Sequence, residues 1–303
     1  MSRLLKYLGM LVVAVLGLAL AGGAGLWAWT NGELAEKGPV PTHEFKAPAP
    51  DSAVLARGEH LTKAIAKCAD CHGADYGGFA IINDPAIGLV YAPNLTSGRG
   101  GVLAAMSDAD IERAVRHGIA ADGRRLVVMP SNEYQLLSDE DLGLIITYLR
   151  SLPAVDRDPT PMRIGPLARV LYATGKLPLF PADAVTHGSE VVASVTADST
   201  VAYGKYLADG GCSGCHGAGY SGGRIPGTPP DWPPAANLTP TGMQEKNYDY
   251  AGFVKALTDG VRPDGTQIHP VMPVNATKLM TPVEMRAIWK YLETVAPKET
   301  GGR

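Results

Sequence analysis

Two five-residue runs hold the reactive side chains of this chain: Cys68-Ala69-Asp70-Cys71-His72 and Cys212-Ser213-Gly214-Cys215-His216. In a C-x-x-C-H run, two thiols one helical turn apart can each add to a vinyl group of one haem, and the adjoining histidine can ligate its iron. The runs therefore predict two covalently bound haem c groups, on Cys68, Cys71 and His72 and on Cys212, Cys215 and His216. They use all four cysteines, so no thiol is left for a structural disulfide or for a thiolate ligand elsewhere. A thioredoxin-like pair needs a βαβ setting, and a zinc site wants its second C-x-x-C about 15–20 residues on. Here 140 residues separate Cys71 from Cys212.

The elements that must position these runs come from a chain of 303 residues, enough for about two domains. A net charge of −3 offers no basic field for nucleic acid. With 36 Gly and 24 Pro and few β-branched runs, the composition predicts short helices joined by long irregular segments, a mostly α fold. Domains this small bury too little apolar area on their own, so a flat apolar macrocycle is expected at the centre of each core, with a poorly folded apoprotein.

Arg3 and Lys6 precede an uncharged stretch from Leu8 to Trp29. Its 22 residues would reach ~33 Å as a helix, enough to cross a bilayer. Trp27 and Trp29 fall where an interfacial aromatic belt lies. Ala19-Leu20-Ala21 before Gly22 resembles a signal-peptide cleavage site, but the apolar run continues past it, and the expectation is an uncleaved transmembrane anchor over residues 1–30. Positive charge before the span places the remainder in the periplasm of a bacterial inner membrane. Residues 31–50 read as a Pro-rich extended tether.

Comparison of the chain with itself at an offset of about 143 residues shows an internal duplication. A helix opened by Asp51-Ser52 carries Gly58 and Leu61; one opened by Asp198-Ser199 carries Gly204 and Leu207. Asn94-Leu95-Thr96 answers to Asn237-Leu238-Thr239, and turns at Asp122-Gly123 and Asp264-Gly265 correspond. Ser107 with Asp110 predicts a capped helix stopped by Gly118, matched by one stopped by Gly260. The last helix of each copy has a cap, Ser138 or Thr281, and an apolar face, to which Met280 and Met285 are assigned in the second. The expected domains are residues 51–154 and 196–303, joined by a strap over 155–195 with one short amphipathic helix from Ile164 to Thr174.

On these residues each half resembles a class I cytochrome c domain. The resemblance implies that a Gly on the first helix faces an aromatic on the last, Gly58 with Tyr148 and Gly204 with Tyr291. The whole arrangement is similar to membrane-anchored cytochrome c subunits of bacterial dehydrogenases of the alcohol, aldehyde and gluconate type, although the common three-haem version has one attachment site more. The family's sixth iron ligand is a Met before the last helix, often followed by Pro. Met129-Pro130 stands 57 residues after His72 and Met272-Pro273 stands 56 after His216, so the duplication puts both in register. The implied metal ligands are His72, Met129, His216 and Met272. Met106 is the alternative for the first iron and His269 for the second; Met243 falls outside the register.

Asn94, Thr96, Asn237 and Thr239 read either as donors near the haem and its propionates or as loop-turn residues. Arg99 and Arg224 are candidates for propionate pairing. His43, His60, His117 and His187 are expected to face solvent or to stand behind a ligand. The leading function is a membrane-anchored dihaem cytochrome c, not itself an enzyme, that relays single electrons. Its redox partners are a periplasmic dehydrogenase subunit, a respiratory complex or an oxidase. The alternatives are a peroxidase-like dihaem enzyme with a releasable ligand, and a subunit of a terminal oxidase assembly.

Overall fold

The computed structural model describes residues 3–41, 43–188 and 190–302. Met1, Ser2, Thr42, Ser189 and Arg303, which fall within the expected anchor, tether, strap and second domain, lie outside the described residues. Helix α1 (Arg3–Ala35) is the one helix among the described residues long and apolar enough to cross a membrane, with none of its apolar window buried in the protein. It runs unbroken through Ala19-Leu20-Ala21 and past Trp29, five residues beyond the expected end of the anchor. The following stretch has no repeating hydrogen-bond pattern, as its prolines require, yet it is pinned rather than free. The Gly38 amide donates to the Gly123 carbonyl at 3.0 Å, the Ala47 amide to Asp108 at 3.0 Å, and Thr147 Oγ1 to the Pro48 carbonyl at 2.8 Å.

In the first repeat, α2 (Ser52–His60) starts where the Asp51 carboxylate accepts the amides of Ala53 and Val54. It continues through a single π turn, Leu61–Ile65. Lys67 at φ 52° then breaks the helix, so that α3 (Cys68–His72) starts on a new axis. Strands β1 (Phe79–Asp84) and β2 (Gly88–Ala92) form an antiparallel hairpin. Helix α4 (Asp108–His117) carries the full capping box of Ser107 and Asp110 and ends on Gly118 at φ 64°. Helices α5 (Ser131–Tyr134) and α6 (Asp139–Ser151) follow, the latter capped by Ser138. The strap adds β3 (Arg163–Ile164), which pairs antiparallel with β2, and α7 (Pro166–Ala173), the expected amphipathic helix. The fold is mostly helical as expected, and the three-stranded sheet is an addition that the sequence did not indicate. Its outer pairing joins residues about 75 positions apart, which local periodicity cannot reveal.

The second repeat has α8 (Val201–Gly211), α9 (Ser213–His216), α10 (Pro240–Glu245), α11 (Tyr250–Asp259), α12 (Val274–Thr277) and α13 (Pro282–Leu292). Helix α8 is capped by Thr200 rather than by Asp198-Ser199, because the Thr200 hydroxyl accepts the Tyr203 amide.

In both copies the first helix crosses the last at a glycine. A Cβ on Gly58 would lie 2.3 Å from the Leu144 carbonyl oxygen and 2.8 Å from Tyr148 Cβ. One on Gly204 would lie 1.9 Å from the Ala287 oxygen and 2.9 Å from Tyr291 Cβ. Only glycine permits backbones this close. Between the copies, residues matched by the duplication meet each other. Arg57 donates to the Tyr203 hydroxyl at 2.9 Å, and these residues precede Gly58 and Gly204. Lys67 donates to the Gly211 carbonyl at 3.0 Å, and these precede Cys68 and Cys212. A residue that touches its own counterpart lies on the axis relating the two, so the repeats meet across a pseudo-twofold, as in an isologous dimer. The buried apolar side chains of both repeats form one cluster across it, including Leu61, Ile146, Leu207 and Ile288.

Candidate haem-attachment sites

Each attachment run is a single helical turn between two breaks. Lys67 precedes α3 and Gly73 at φ 83° ends it, while Gly217 at φ 82° ends α9. The turn puts the two cysteines of a run on one side. Burial pushes the Cys68 thiol up to about 12 and the Cys212 thiol up to about 11, so neither is the exposed low-pKa thiolate that redox and metal chemistry demand.

The histidines that close the runs are buried, His72 at 7% and His216 at 8% exposure. His72 Nδ1 lies 2.8 Å from the Pro93 carbonyl and His216 Nδ1 lies 2.7 Å from the Ala236 carbonyl. A carbonyl only accepts, so Nδ1 carries the proton in both rings and Nε2 carries the lone pair. An iron-binding imidazole needs this tautomer, with a backbone acceptor behind it fixing the ring and raising its basicity. Burial also holds His72 below the usual imidazole range, outweighing the Pro93 hydrogen bond, which keeps the ring neutral as a ligand must be. The residues present thus fit a covalently held haem.

The two acceptor carbonyls belong to the residues just before Asn94 and Asn237, and this gives the repeated Asn-Leu-Thr its physical role. Asn94 Oδ1 accepts the Thr96 amide and hydroxyl, each at 2.8 Å, while Asn94 Nδ2 donates to the Val155 carbonyl at 2.7 Å. In the second copy Asn237 Oδ1 accepts the Thr239 amide at 2.9 Å and hydroxyl at 2.7 Å, and Asn237 Nδ2 donates to the Lys298 carbonyl at 2.8 Å. Each clasp ties the loop behind the histidine to the chain leaving the last helix. All four side chains are buried. The loop-turn reading is therefore realised, and the turn holds the carbonyl that accepts from the histidine.

Met129 and Met272 are half-buried and pack against the common core, each opening a short helix, α5 or α12, through its Pro. His269 is exposed, and its Nδ1 accepts the Val271 amide at 3.2 Å. Met106 also packs against the core, and Met243, Met280 and Met285 are buried within it.

The remaining sequence candidates go elsewhere. Arg99 pairs with Asp158, and Arg224 closes its own loop by donating to the carbonyls of Pro229, Pro230 and Trp232. The histidines do not simply face solvent. His60 Nε2 meets Glu284 Oε1 at 2.8 Å, His43 meets Asp139 at 3.1 Å, and His117 is buried with its Nδ1 3.3 Å from that of His187. Residues that the sequence reading missed are Pro93 and Ala236, which act through main-chain atoms without a side-chain signature, and Glu133. A Cβ on Gly214, in the middle of the second attachment run, would lie 2.1 Å from Glu133 Oε1. Burial pushes the Glu133 carboxyl up, with Lys67 opposing. Lys67, just before the first run, thus reaches Gly211, just before the second, and Glu133 of α5 lies against Gly214.

Residues 53–149 match the family described as cytochrome C oxidase, cbb3-type, subunit III, and residues 201–296 match the family described as cytochrome c. The chain is 30% identical over 58% of its length to the gluconate 2-dehydrogenase cytochrome c subunit of Pantoea cypripedii, covering 41% of that protein. It is 26% identical over 71% of its length to the alcohol dehydrogenase (quinone), cytochrome c subunit of Gluconacetobacter polyoxogenes, covering 42% of it. To the fructose dehydrogenase cytochrome subunit of Gluconobacter japonicus it is 31% identical over 56% of its length, covering 36%. The chain thus spans about two fifths of the length of the curated relatives it matches.

Proposed function

Because this chain carries two cytochrome c domains, we propose that it is a membrane-anchored dihaem relay that takes single electrons from a dehydrogenase and passes them to a respiratory acceptor. The observation that carries the reading is the contact between the residues that immediately precede the two attachment runs, Lys67 Nζ lying 3.0 Å from the Gly211 carbonyl. A relay requires its two redox sites to be close, and this contact across the repeats supports that reading.

Residues 51–154 form the first haem domain and residues 196–303 the second. Cys68 and Cys71 hold one haem c and Cys212 and Cys215 the other, with His72 and Met129, and His216 and Met272, as axial ligands. The group supplies a one-electron couple whose potential follows its axial ligands and the hydrogen bonds behind them. The protein's part is to fix each imidazole through the Pro93 or Ala236 carbonyl, and to hold that carbonyl with the Asn-Thr clasp. Helix α1 anchors the chain uncleaved in the bacterial inner membrane, with Arg3 and Lys6 inside and both haem domains in the periplasm. Support comes from α1 itself, which runs unbroken through Ala19-Leu20-Ala21, and its outer end docks on the body, with Thr30 buried and Arg169 donating to Asn31 at 2.9 Å. The names of the relatives point to a dehydrogenase partner acting on an alcohol or a sugar-derived substrate.

The purified holoprotein is expected to have the mass of the polypeptide plus two haems and to titrate in two one-electron steps. Met272→Ala is expected to open the second site to carbon monoxide, Met129→Ala the first, and His269→Ala neither. If the unmutated reduced protein binds carbon monoxide readily, the relay gives way to a dihaem enzyme. If His269→Ala, and not Met272→Ala, alters the second haem's spectrum, the assigned ligand is wrong.

A further inference from the structure

Helix α7 is attached to the outer end of α1 rather than to either attachment site. Arg169, buried on its inner face, donates to the Trp27 carbonyl at 3.3 Å and to Asn31 Oδ1 at 2.9 Å, and it also bonds the Thr30 hydroxyl. The Tyr172 ring stacks on Trp29 with centroids 5.7 Å apart, and its hydroxyl donates to Glu33 at 2.9 Å. These contacts span Trp27 to Glu33, six residues, which at about 1.5 Å per residue is roughly 9 Å along the helix axis.

That interval has a depth. The hydrocarbon layer takes about 20 residues of helix, and each headgroup layer adds roughly 5–8 Å. With the apolar run of α1 inside the bilayer, Trp27 and Trp29, 60% and 47% exposed, lie at its outer boundary. Helix α7 then lies at headgroup level. Its buried face, Ala168 and Arg169, is turned to α1. Its opposite face exposes Leu167 at 44% and Val170 at 45%, three residues apart and so on one side of the helix, and Met162 at 39% stands just ahead of it. Arg163 and Lys176, both exposed, flank this face with positive charge.

We propose that α7 is an interfacial helix whose Leu167 and Val170 insert among lipid headgroups, so that the strap seats the first haem domain on the membrane surface at a fixed height. The occupant of this face is the bilayer because the face continues, at the same depth, the surface that α1 has already entered. A short amphipathic helix with cationic flanks suits an anionic membrane surface. The proposal rests on the reading of α1 as a membrane span.

The test embeds the holoprotein in nanodiscs of phosphatidylcholine and phosphatidylglycerol that contain a lipid with a photoactivatable diazirine near the headgroup, and maps the adducts by mass spectrometry. Adducts are expected on Leu167, Val170 and Trp27, severalfold above those on Val191 and Leu279, which are 69% and 45% exposed but remote from α7. Adducts on Trp27 with α7 no more labelled than Val191 and Leu279 leave the span standing, overturn the proposal and give the face to a protein partner. Adducts on neither α1 nor α7 overturn the span and the proposal together.

Discussion

The Met-Pro step begins the same tight turn in both repeats, yet the two loops are held by different means. The Ser131 amide donates to the Met129 carbonyl at 2.7 Å and the Val274 amide to the Met272 carbonyl at 2.7 Å. Pro130 and Pro273 share nearly the same dihedrals, φ −78° and ψ 55° against φ −77° and ψ 62°. Ahead of Met129, however, Val128 stands at φ 55° and its amide donates 2.9 Å to the strap carbonyl of Leu179. Ahead of Met272, Val271 is outside the left-handed region, and the contacts are local: its amide donates to His269 Nδ1 and the Met272 amide donates to the His269 carbonyl at 3.0 Å. The strap clamps the Met129 loop and leaves the Met272 loop to its own turn. On the proposed ligation by Met129 and Met272, the second loop is expected to release its Met first.

The same asymmetry sits at the interface between the repeats, and there it carries the largest expected effect. Glu284 and Asp141 occupy the third position of α13 and α6, matched by the duplication. Glu284 is buried against Arg57 at 3.1 Å and His60 at 2.8 Å, whereas Asp141 accepts from the Tyr206 hydroxyl at 2.7 Å. Burial raises both carboxyls. For Glu284 the His60 hydrogen bond, the Thr281 amide and Arg57 together outweigh burial and hold the group at about 2, whereas Asp141 stays above the usual range. Removing one partner of a buried ion cluster costs about 3–5 kcal/mol, and removing one acceptor of a neutral donor about 1–2 kcal/mol. Glu284→Ala is therefore expected to lower the denaturation midpoint of the detergent-solubilised holoprotein two- to threefold more than Asp141→Ala. Equal losses would mean that the interface is symmetric in energy as well as in shape.

Next in size is a difference in acid sensitivity. His117 is buried beside His187, and burial first, then the neighbouring His187 ring, lower it to about 4. The duplication matches it with the exposed Asp259. Between the ordinary imidazole value of 6.5 and about 4 the unfolded chain takes up a proton that the folded chain refuses. Stability is thus full above pH 6.5 and falls as the pH drops through that window, by about 3 kcal/mol at the outside. Glu284, whose stabilisation is present above 4.5 and lost toward 2, adds no pH dependence above pH 4.5. Chemical denaturation at pH 7.0 and 4.8 is expected to show a loss that His117→Leu abolishes; a loss of the same size in that variant sinks the assignment.

Much of this was legible in the residues, because attachment runs, glycine crossings, caps and Met-Pro steps are local patterns repeated at one spacing. The Ser107 box and the Thr281 cap are where the pattern placed them, and the Gly58 and Gly204 contacts are where the resemblance implied them. The unread parts share one cause, contacts between main-chain atoms or between side chains far apart in sequence. Asn94 was visible as a repeated residue, but its task lies in the carbonyls of Pro93 and Val155. His60 and Glu284 are 224 positions apart, and nothing near either announces the other. His43, His60, His117 and His187 read as facing solvent or standing behind a ligand because only the tertiary fold supplies the carboxylates, or the second imidazole, that pair with them.

The smallest effect tests the clamp itself. A β-branched residue in the left-handed region costs on the order of 1–2 kcal/mol, since its Cβ crowds the following carbonyl. Val128 remains at φ 55° because its amide is held by the Leu179 carbonyl. Val128→Gly removes that strain while adding freedom to the unfolded chain, which costs roughly 0.5–1 kcal/mol, and while losing the packing of a half-buried side chain. The terms nearly cancel. Val271→Gly has no strain to relieve, because Val271 is outside that region, so it carries the costs alone. Thermal unfolding of the two holoprotein variants is expected to place Val128→Gly about 1 kcal/mol above Val271→Gly, with Val128→Gly close to the unmutated protein. If the two fall together, Val128 is unstrained in solution, the strap does not hold its loop, and the two ligand loops are alike.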